Sequence, residues 1–409
     1  MPLVQPFSFL GGAEAAWPIP RKTGETDNYW GTRVNKARDA NYYIVAYSGL
    51  EENPWGNKFD VWIVHVSGLT NDWFQLPGIA LTAMPSVFNV GISDDGLFAL
   101  VHWRTTGWGE MKLFKRTGSP NTWSLHRDIK TDFNISNTDY SWHCVLRDRY
   151  IHGSCGNNME EDSEHRVLRI ESDDTTVTNL WFERFTYSPF SYGYRWWMGD
   201  ITADGELLCI AHTQYRWSHS GHHSVERYSW LDVYKADNPG RTSYTQVAVP
   251  AFSLGYGQSG QVWRNPRFSR DNYHILWGTR TSGRIKVARR DDASASSWTE
   301  VLSEAASPTY CRGCDIGAGR DALGNVQTSG PPYAGAQPTI LYIDRNTPGV
   351  RMGVWNVDHF DLATIPPPTI FTDTRLYDGS LELTAGKEGY RWNALGGPFD
   401  NLVAARPTY

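Results

Sequence analysis

Three stretches, ISDDGLFALVHWR (residues 92–104), ITADGELLCIAHT (201–213) and FSRDNYHILWGTR (268–280), share the pattern that decides the fold. Each begins with a short turn containing Asp, Asn or Gly and continues as a mostly apolar run. Asp, Asn and Gly favour tight β-turns, and short apolar runs bounded by such turns are typical of strands. The recurrence of one turn-plus-strand unit along the chain indicates a repeat architecture.

A second unit, a short strand built around an aromatic residue, recurs at intervals of 50 to 63 residues. Its copies are NDWFQL (Trp73), NTWSLH (Trp123), NLWFER (Trp181), TSYTQV (Tyr244) and SSWTEV (Trp298). A middle strand precedes each copy: DVWIVHV, MKLFKRT, RVLRIES, LDVYKAD and IKVARRD. Each repeat therefore contains about four short strands joined by turns, which is typical of a propeller blade.

The 409 residues accommodate about seven such blades in a single domain spanning residues 1–409. We therefore predict an all-β, seven-bladed β-propeller with four-stranded antiparallel blades. The N- and C-terminal segments are expected to close the last blade, with LVAARPTY (402–409) beside the N-terminal segment, since closure removes exposed strand edges. Two stacked β-sandwiches are the alternative, but they do not require the regular aromatic spacing.

Composition limits the classes of partner. The chain is 14% aromatic, with 38 Gly and 22 Pro, and aromatic-rich β proteins often bind sugars. A net charge of −6 opposes general nucleic-acid binding, and no stretch of about eighteen apolar residues predicts a membrane span. The N-terminus lacks the regions of a signal peptide, so we expect either a secreted chain given without its leader, the preferred interpretation, or an intracellular protein. We expect a monomer.

Four residues in the middle of the chain form the candidate catalytic set. His143 lies in DYSWHCVLRD at the start of the third blade's inner strand, and His165 lies in DSEHRVLRIES just before the next strand. Tyr194 lies in SYGYRWW at the entry to the fourth blade. Arg216 lies in HTQYRWSHSGHH (212–223), a stretch that we expect to be a surface loop. Each alone is compatible with a structural role, as a strand-end histidine or a salt bridge.

The order of these residues resembles the BNR-repeat family, which includes seven-bladed polysaccharide lyases acting on ulvan and on rhamnose–glucuronate linkages. The resemblance is carried by the two histidines, by the tyrosine before a D-G turn and by Y-R-x-x-x-S-G, and it covers residues 140–225 closely. The chain departs from the family pattern at the tyrosine, because Arg195 follows Tyr194 where the family has Pro. Tyr192 is therefore a rival for the role.

The resemblance implies cleavage of a glucuronate-containing polysaccharide by β-elimination, and the residue types suit that chemistry. Arg216 would neutralise the uronate carboxylate, because a guanidinium binds a carboxylate through two hydrogen bonds. His143 or His165 would remove the C5 proton, and Tyr194 or the second histidine would protonate the leaving oxygen. No organic cofactor is needed. Further contacts to this acidic polysaccharide are predicted for Tyr192, Arg195, Trp196, Arg264 and Arg267.

A second site is predicted at the pair Cys311-x-x-Cys314. With His222 and His359 the two cysteines would form a tetrahedral Cys2His2 zinc site, with His223 as a reserve ligand. The lyases that this chain resembles have a structural zinc of mixed Cys and His ligation, which supports the assignment. A disulfide between the two cysteines and a pair of free thiols are the alternatives.

Two other functions remain open. A glycoside hydrolase on the same fold, rhamnosidase-like or sialidase-like, would need a pair of carboxylates or a tyrosine nucleophile, and no clear acid pair is found. The sialidase-type Asp box is only half present, in Ser93–Gly96. A non-enzymatic lectin would repeat its binding residues in every blade. The His, Tyr and Arg set occurs once, which favours an enzyme.

Overall fold

The computed structural model describes residues 16–20, 28–37, 40, 42–50, 57–67, 70–79, 87–105, 108–133, 139–157, 162–185, 192–194, 198–217, 224–247, 266–269, 272–278, 284–305, 311–320, 337–344, 350–355, 360–365, 392–394 and 401–405. Within these ranges the backbone alone is described for several strand segments, among them 139–143, 192–194, 212–217 and everything after residue 300. The side chains of the remaining strands define the core.

The described strands form seven antiparallel sheets, which we number along the chain from the sheet that contains Asn28–Lys36; the sheet formed by the first and last strands is numbered 7. Sheet 1 contains β2 (Asn28–Lys36), β3 (Tyr42–Leu50), β4 (Asn57–Ser67) and β5 (Thr70–Gln75). Sheet 2 contains β6 (Val87–Ile92), β7 (Phe98–Thr105), β8 (Trp108–Gly118) and β9 (Thr122–Asp128). Sheet 3 contains β10 (Asp139–Arg147), β11 (Tyr150–Asn157), β12 (Asp162–Ile170) and β13 (Val177–Phe185). Sheet 4 contains β14 (Tyr192–Tyr194), β15 (Met198–Ile201), β16 (Leu207–Trp217), β17 (Ser224–Ala236) and β18 (Tyr244–Val247). Sheet 5 contains β19 (Arg267–Phe268), β20 (His274–Gly278), β21 (Arg284–Arg290) and β22 (Trp298–Ala305). Sheet 6 contains β23 (Cys311–Arg320), β24 (Gln337–Asp344), β25 (Val350–Trp355) and β26 (Phe360–Ile365). Sheet 7 contains β1 (Ala16–Pro20), β27 (Trp392–Ala394) and β28 (Asn401–Ala405).

The recurring sequence units occupy fixed places in these sheets. The turn-plus-strand unit supplies the second strand, as β7, β16 and β20, and the aromatic unit supplies the fourth strand, as β5, β9, β13, β18 and β22. The prediction of four-stranded antiparallel units is therefore confirmed for most sheets. Sheet 4 differs because two separate segments, β14 and β15, pair with β16. Three strands are described in sheet 7, where β28 pairs with both β1 and β27.

Successive sheets lie side by side through their first strands. Strand β2 contacts β6, β6 contacts β10, β10 contacts β15, β15 contacts β19, and β19 contacts β23. The two faces of a middle sheet are accordingly both buried. In sheet 3, Leu146 and Leu168 pack against Phe98 of sheet 2, while Val145 and Val167 on the other face join the core of sheet 4. Burial of each such side chain stabilises the fold by about 1.5–3 kcal/mol.

The turn that begins the repeat has the same construction in sheets 2 and 4. Ser93 Oγ accepts the backbone N–H of Phe98 at 2.9 Å, and Thr202 Oγ1 accepts that of Leu207 at 3.0 Å. Each turn then requires glycine, because Gly96 and Gly205 have φ of +67°. The half-complete Asp box at Ser93–Gly96 is therefore explained by turn geometry.

These turn glycines also fix the spacing between neighbouring sheets. A Cβ built on Gly205 would lie 2.4 Å from the ring of Tyr150 in sheet 3, and one on Gly96 would lie 2.6 Å from Tyr42 in sheet 1. Among the described residues the helical content is a single 3-10 turn at Thr131–Phe133, and none of it could cross a bilayer.

Candidate functional site

Both predicted catalytic histidines lie in one row of sheet 3. His143 on β10 pairs with Ser154 on β11, and Ser154 pairs with His165 on β12. Since adjacent strands are about 4.8 Å apart, the Cα atoms of His143 and His165 are roughly 10 Å apart. The row lies on the same face as Val145 and Val167, because side chains two residues apart on a strand share a face. This is the face packed against sheet 4.

The predicted tyrosine and arginine lie on the adjoining part of sheet 4. Tyr192 pairs with Arg216, and Tyr194 pairs with Gln214. By strand alternation along β16, these positions belong to the same side of sheet 4 as Leu208 and Ile210, which pack against sheet 3. Strand β14 also contacts β12, the strand that contains His165. The backbone thus brings the four predicted catalytic positions to one interface between two sheets.

The structure corrects the local setting of two of these residues. His165 lies within β12 and Arg216 within β16, so neither lies outside a strand. The stretch 212–223 is therefore strand as far as Trp217, and residues 218–223 lie outside the described residues. Sequence reasoning ended the second strand too early because His, Thr, Gln and Arg interrupt the apolar pattern. Register pairing with β14 and β17 extends the strand instead.

His165 is fully buried, and its ring contacts a second histidine that sequence reasoning did not select. His152 on β11 is also fully buried. The two rings are nearly parallel, at 5° and with centroids 5.5 Å apart, and His152 Nε2 lies 3.3 Å from His165 Nδ1. The other edge of His152 faces sheet 4, since a Cβ built on Gly199 would lie 2.5 Å from its Cε1 atom. The paired rings therefore connect β12 to β15.

Beside this pair lies a buried ion cluster that joins three sheets. Arg147 at the end of β10 donates from Nε to Asp200 Oδ1 at 3.0 Å and from a terminal nitrogen to Oδ2 at 3.4 Å. The backbone N–H of Phe268 donates to Asp200 Oδ2 at 2.9 Å, and Arg267 lies 4.0 Å from Oδ1. Asp200 is fully buried, and both arginines are buried as well. Sheets 3, 4 and 5 are thereby held together at β15.

The charge state of Asp200 follows from its surroundings. Burial alone would raise the pKa of this carboxyl, but the charges of Arg147 and Arg267, with the hydrogen bonds from Arg147 and the Phe268 N–H, lower it below its ordinary value. Asp200 is therefore ionised at neutral pH. Two guanidinium groups thus face this one carboxylate. Arg267 is thus held inside the fold, and its predicted contact with substrate stays a prediction.

Several predicted site residues lie outside the described residues. Among the predicted substrate-binding residues these are Arg195, Trp196 and Arg264, and among the predicted zinc ligands they are His222, His223 and His359. Of the described side chains, no group of three or more His, Cys, Asp or Glu residues is arranged to bind a metal ion.

The backbone does place the two predicted cysteine ligands. Cys311 pairs with Asp344 and Cys314 with Tyr342, and a bulge lies between Cys311 and Gly313. In a regular strand, residues three apart fall on opposite faces. The bulge shifts the alternation by one, so the two cysteine positions lie opposite residues two apart and share a face. This arrangement fits joint ligation of a metal and equally fits a disulfide, so the zinc site stays a prediction.

The histidine pair and the ion cluster were missed by sequence reasoning. Asp200 gave the clearest signal, because a charged residue within the strand MGDI next to a buried core has to find an opposite charge. His152 gave no such signal in the sequence, since a single histidine in a strand more often has a structural role. Its partner is thirteen residues away in sequence and becomes adjacent only through the register of β11 and β12.

Comparison with protein families and with curated proteins finds no match to this chain. Among solved structures, an ulvan lyase of polysaccharide lyase family 25 bound to a glucuronate–rhamnose-3-sulfate ligand is similar at 10% identity, covering 93% of this chain and 94% of that one with a TM-score of 0.55. Another structure of a family 25 ulvan lyase has a TM-score of 0.52 at the same identity and coverage. Saccharomyces cerevisiae Sqt1 has a TM-score of 0.50 at 9% identity, covering 97% and 99%.

These likenesses extend over nearly the whole chain, and at such low identity they show the fold alone. Taken with the antiparallel sheets and their side-by-side first strands, they identify the architecture. The chain is an all-β protein of the propeller class.

Proposed function

We propose that this protein is a polysaccharide lyase that cleaves a glucuronate-containing polysaccharide by β-elimination. The observation that carries the proposal is the convergence of His143, His165, Tyr192 or Tyr194, and Arg216 at one interface between sheets 3 and 4. These positions come from four strands and span more than seventy residues of sequence. Their residue types supply the carboxylate partner, base and acid that the reaction requires.

The proposed roles follow from burial and register. Arg216 binds the uronate carboxylate and makes the C5 proton more acidic, while His143 on the inner strand accepts that proton. The C4–O4 bond then breaks, a C4–C5 double bond forms, and the leaving O4 takes a proton from a tyrosine. Tyr192 competes with Tyr194 for this last role, because Tyr192 is the register partner of Arg216. His165 is fully buried, which favours a supporting role over direct proton transfer.

We further propose that the seven sheets close one ring around a channel. The pairing of β28 with β1 joins the two ends of the chain in sheet 7, as closure requires. The chain of contacts between first strands, from β2 to β23, supports the same arrangement. The candidate site would then lie beside the channel, where a polysaccharide could reach it.

The proposal is tested by incubating the purified protein with ulvan and with a rhamnose–glucuronate polysaccharide while following ultraviolet absorbance. β-Elimination forms a double bond conjugated to the carboxylate, which absorbs, whereas hydrolysis forms only new reducing ends. The saccharide in the similar ulvan lyase makes ulvan the first polymer to test. We expect the absorbance to rise with the wild-type protein and to be lost in His143→Ala and Arg216→Ala.

Two controls make the result decisive. His126→Ala changes a histidine on the outer strand β9 of sheet 2 and should leave the rate unchanged. Circular dichroism should show that the inactive variants keep the β-sheet signal. New reducing ends without absorbance would favour a glycoside hydrolase, and sugar binding without any product would favour a lectin.

We also propose that Cys311 and Cys314, which share a face of β23, hold a structural zinc with His222 and His359. A zinc ion held by four protein ligands would stabilise the fold without an open position for chemistry. Elemental analysis of the purified protein should find about one zinc per chain, and Cys311→Ser should remove it. A metal-free wild-type protein with no reactive thiol at these positions would indicate the disulfide instead.

A further inference from the structure

We propose that His152 is a positioning residue that fixes the tautomer and the ring orientation of His165. This inference rests on the proposed function, in which His165 supports the proton transfer at the interface of sheets 3 and 4. It concerns a histidine that no motif in the sequence selects, and it follows from the contact between His152 Nε2 and His165 Nδ1 at 3.3 Å.

The contact constrains the protons of both rings. Two facing imidazole nitrogens form a hydrogen bond only when one carries the hydrogen and the other accepts it. The state of His165 Nδ1 then determines whether its other nitrogen, Nε2, is a donor or a base. Because both rings are fully buried, water does not compete for this contact, and the hydrogen bond is stronger than it would be at the surface. The contact therefore couples the tautomers of the two rings, because a hydrogen on one facing nitrogen requires an acceptor at the other.

The position of His152 is itself fixed from the neighbouring sheet. Gly199 leaves no room for a side chain, because a Cβ there would lie 2.5 Å from His152 Cε1 and 2.9 Å from Nδ1. The next residue, Asp200, binds Arg147 of sheet 3 at 3.0 Å, which holds β15 against that sheet. His152 is thus confined between β15 on one side and His165 on the other.

This arrangement links the two halves of the proposed site. Strands β14 and β15 both pair with β16, so the edge that presents Tyr192 and Tyr194 continues from the one that contacts His152. A shift of β15 relative to sheet 3 would move His152 and, through it, the ring of His165. The histidine pair therefore sets the orientation of His165 relative to the tyrosine and arginine positions of sheet 4.

The test compares two substitutions of similar length and volume. His152→Gln keeps a polar group able to hydrogen-bond His165, whereas His152→Met fills the same space without one. The first readout is the pair of ring 15N chemical shifts of His165 in histidine-labelled full-length protein, with its signals identified by their loss in His165→Gln. A fixed tautomer gives two widely separated shifts, and exchange between tautomers brings them together.

We expect widely separated shifts in the wild type and in His152→Gln, and convergence of the shifts in His152→Met. The rate of the proposed reaction should fall about tenfold in His152→Met with little change in KM, and His152→Gln should restore most of it. His126→Met, which changes a histidine in β9 of sheet 2, is the control for a generic loss of a ring.

Several outcomes would overturn the proposal. Averaged His165 shifts in the wild type would do so without any variant, and so would unchanged shifts in a folded His152→Met protein. Equal losses in the Gln and Met variants, with matching losses of thermal stability, would assign His152 to packing alone. If the wild-type protein cleaves no uronate polymer, the proposed function fails, while the 15N shifts still decide whether His152 fixes the tautomer of His165.

Discussion

Replacing Asp200 by Asn is expected to destabilise the protein more than any change at an exposed ion pair. Asp200 is fully buried and is the carboxylate shared by Arg147 and Arg267, with a further hydrogen bond from the Phe268 N–H. Asn has nearly the same shape but no charge. The substitution therefore removes the buried negative charge that both guanidinium groups face.

The magnitude follows from the cost of breaking a buried pair, about 3–5 kcal/mol of unfolding free energy. With an unfolding entropy of about 2.1 cal/mol/K per residue, a chain of 409 residues has about 0.9 kcal/mol/K in total. The expected fall in Tm is therefore about 3–6 °C. Loss of the link between sheets 3, 4 and 5 should also speed up the exchange of the backbone amide hydrogens around His152 and His165.

The matched control is Asp132→Asn, the same chemical change at a partly exposed pair. Asp132 binds Arg127 at 2.6 Å, but the Arg127 side chain is 39% exposed, so we expect a loss of at most about 1 kcal/mol. Calorimetry and denaturant titration of both variants measure the difference. A loss for Asp200→Asn that is no larger than that for Asp132→Asn would refute the reasoning that this buried carboxylate is needed to balance the two arginines.

The pH dependence gives an independent check of the sign. The pKa of Asp200 is lowered in the folded state, so its contribution to stability is fully present above the pKa of the unfolded carboxyl, about 4, and is lost as pH falls through the lower folded value. The difference in Tm between wild type and Asp200→Asn should therefore be constant near neutral pH and shrink in acid. A difference that grows in acid would contradict the assigned direction.

Two further predictions concern packing. Gly205→Ala should lower the unfolding free energy by about 1–3 kcal/mol more than Gly78→Ala does. Both glycines have positive φ, but only a Cβ at position 205 would contact a side chain, the ring of Tyr150 at 2.4 Å. Equal losses of stability in the two variants would show that the ring can move aside. Cys144 and Cys209 are buried free thiols whose pKa is raised by burial, so in native protein they should not react with a thiol reagent and should do so after denaturation. Labelling of either residue in native protein, read by mass spectrometry, would contradict their burial.

Much of the architecture is readable from local sequence, because a strand and a tight turn need only neighbouring residues. The turn at Ser93–Gly96 and its copy at Thr202–Gly205 predict second strands that the structure confirms. The aromatic units likewise mark the fourth strands. The end of β16 was misplaced because polar residues interrupt its apolar pattern, and only pairing with β14 and β17 extends the strand to Trp217.

The candidate site is only partly readable in the same way. The residue types of His143, His165, Tyr194 and Arg216 suggested a reaction, but their sequence positions carry no distances. The register between paired strands supplied the missing spatial relations. It placed Ser154 between His143 and His165, and it made Tyr192 rather than Tyr194 the partner of Arg216. A one-residue change in any of these registers would have moved the positions to opposite faces.

The sequence by itself therefore determined the repeat and the strand class and suggested the proposed chemistry, since these depend on residue type and on spacing within about sixty residues. Tertiary structure alone decided that the ring nitrogens of His152 and His165 face each other, that Asp200 joins arginines of two other sheets, and that a bulge brings Cys311 and Cys314 to one face. The physical reason is that these contacts join strands through register and sheet packing. Burial, charge balance and hydrogen bonding depend on such neighbours, which the order of residues along the chain does not specify.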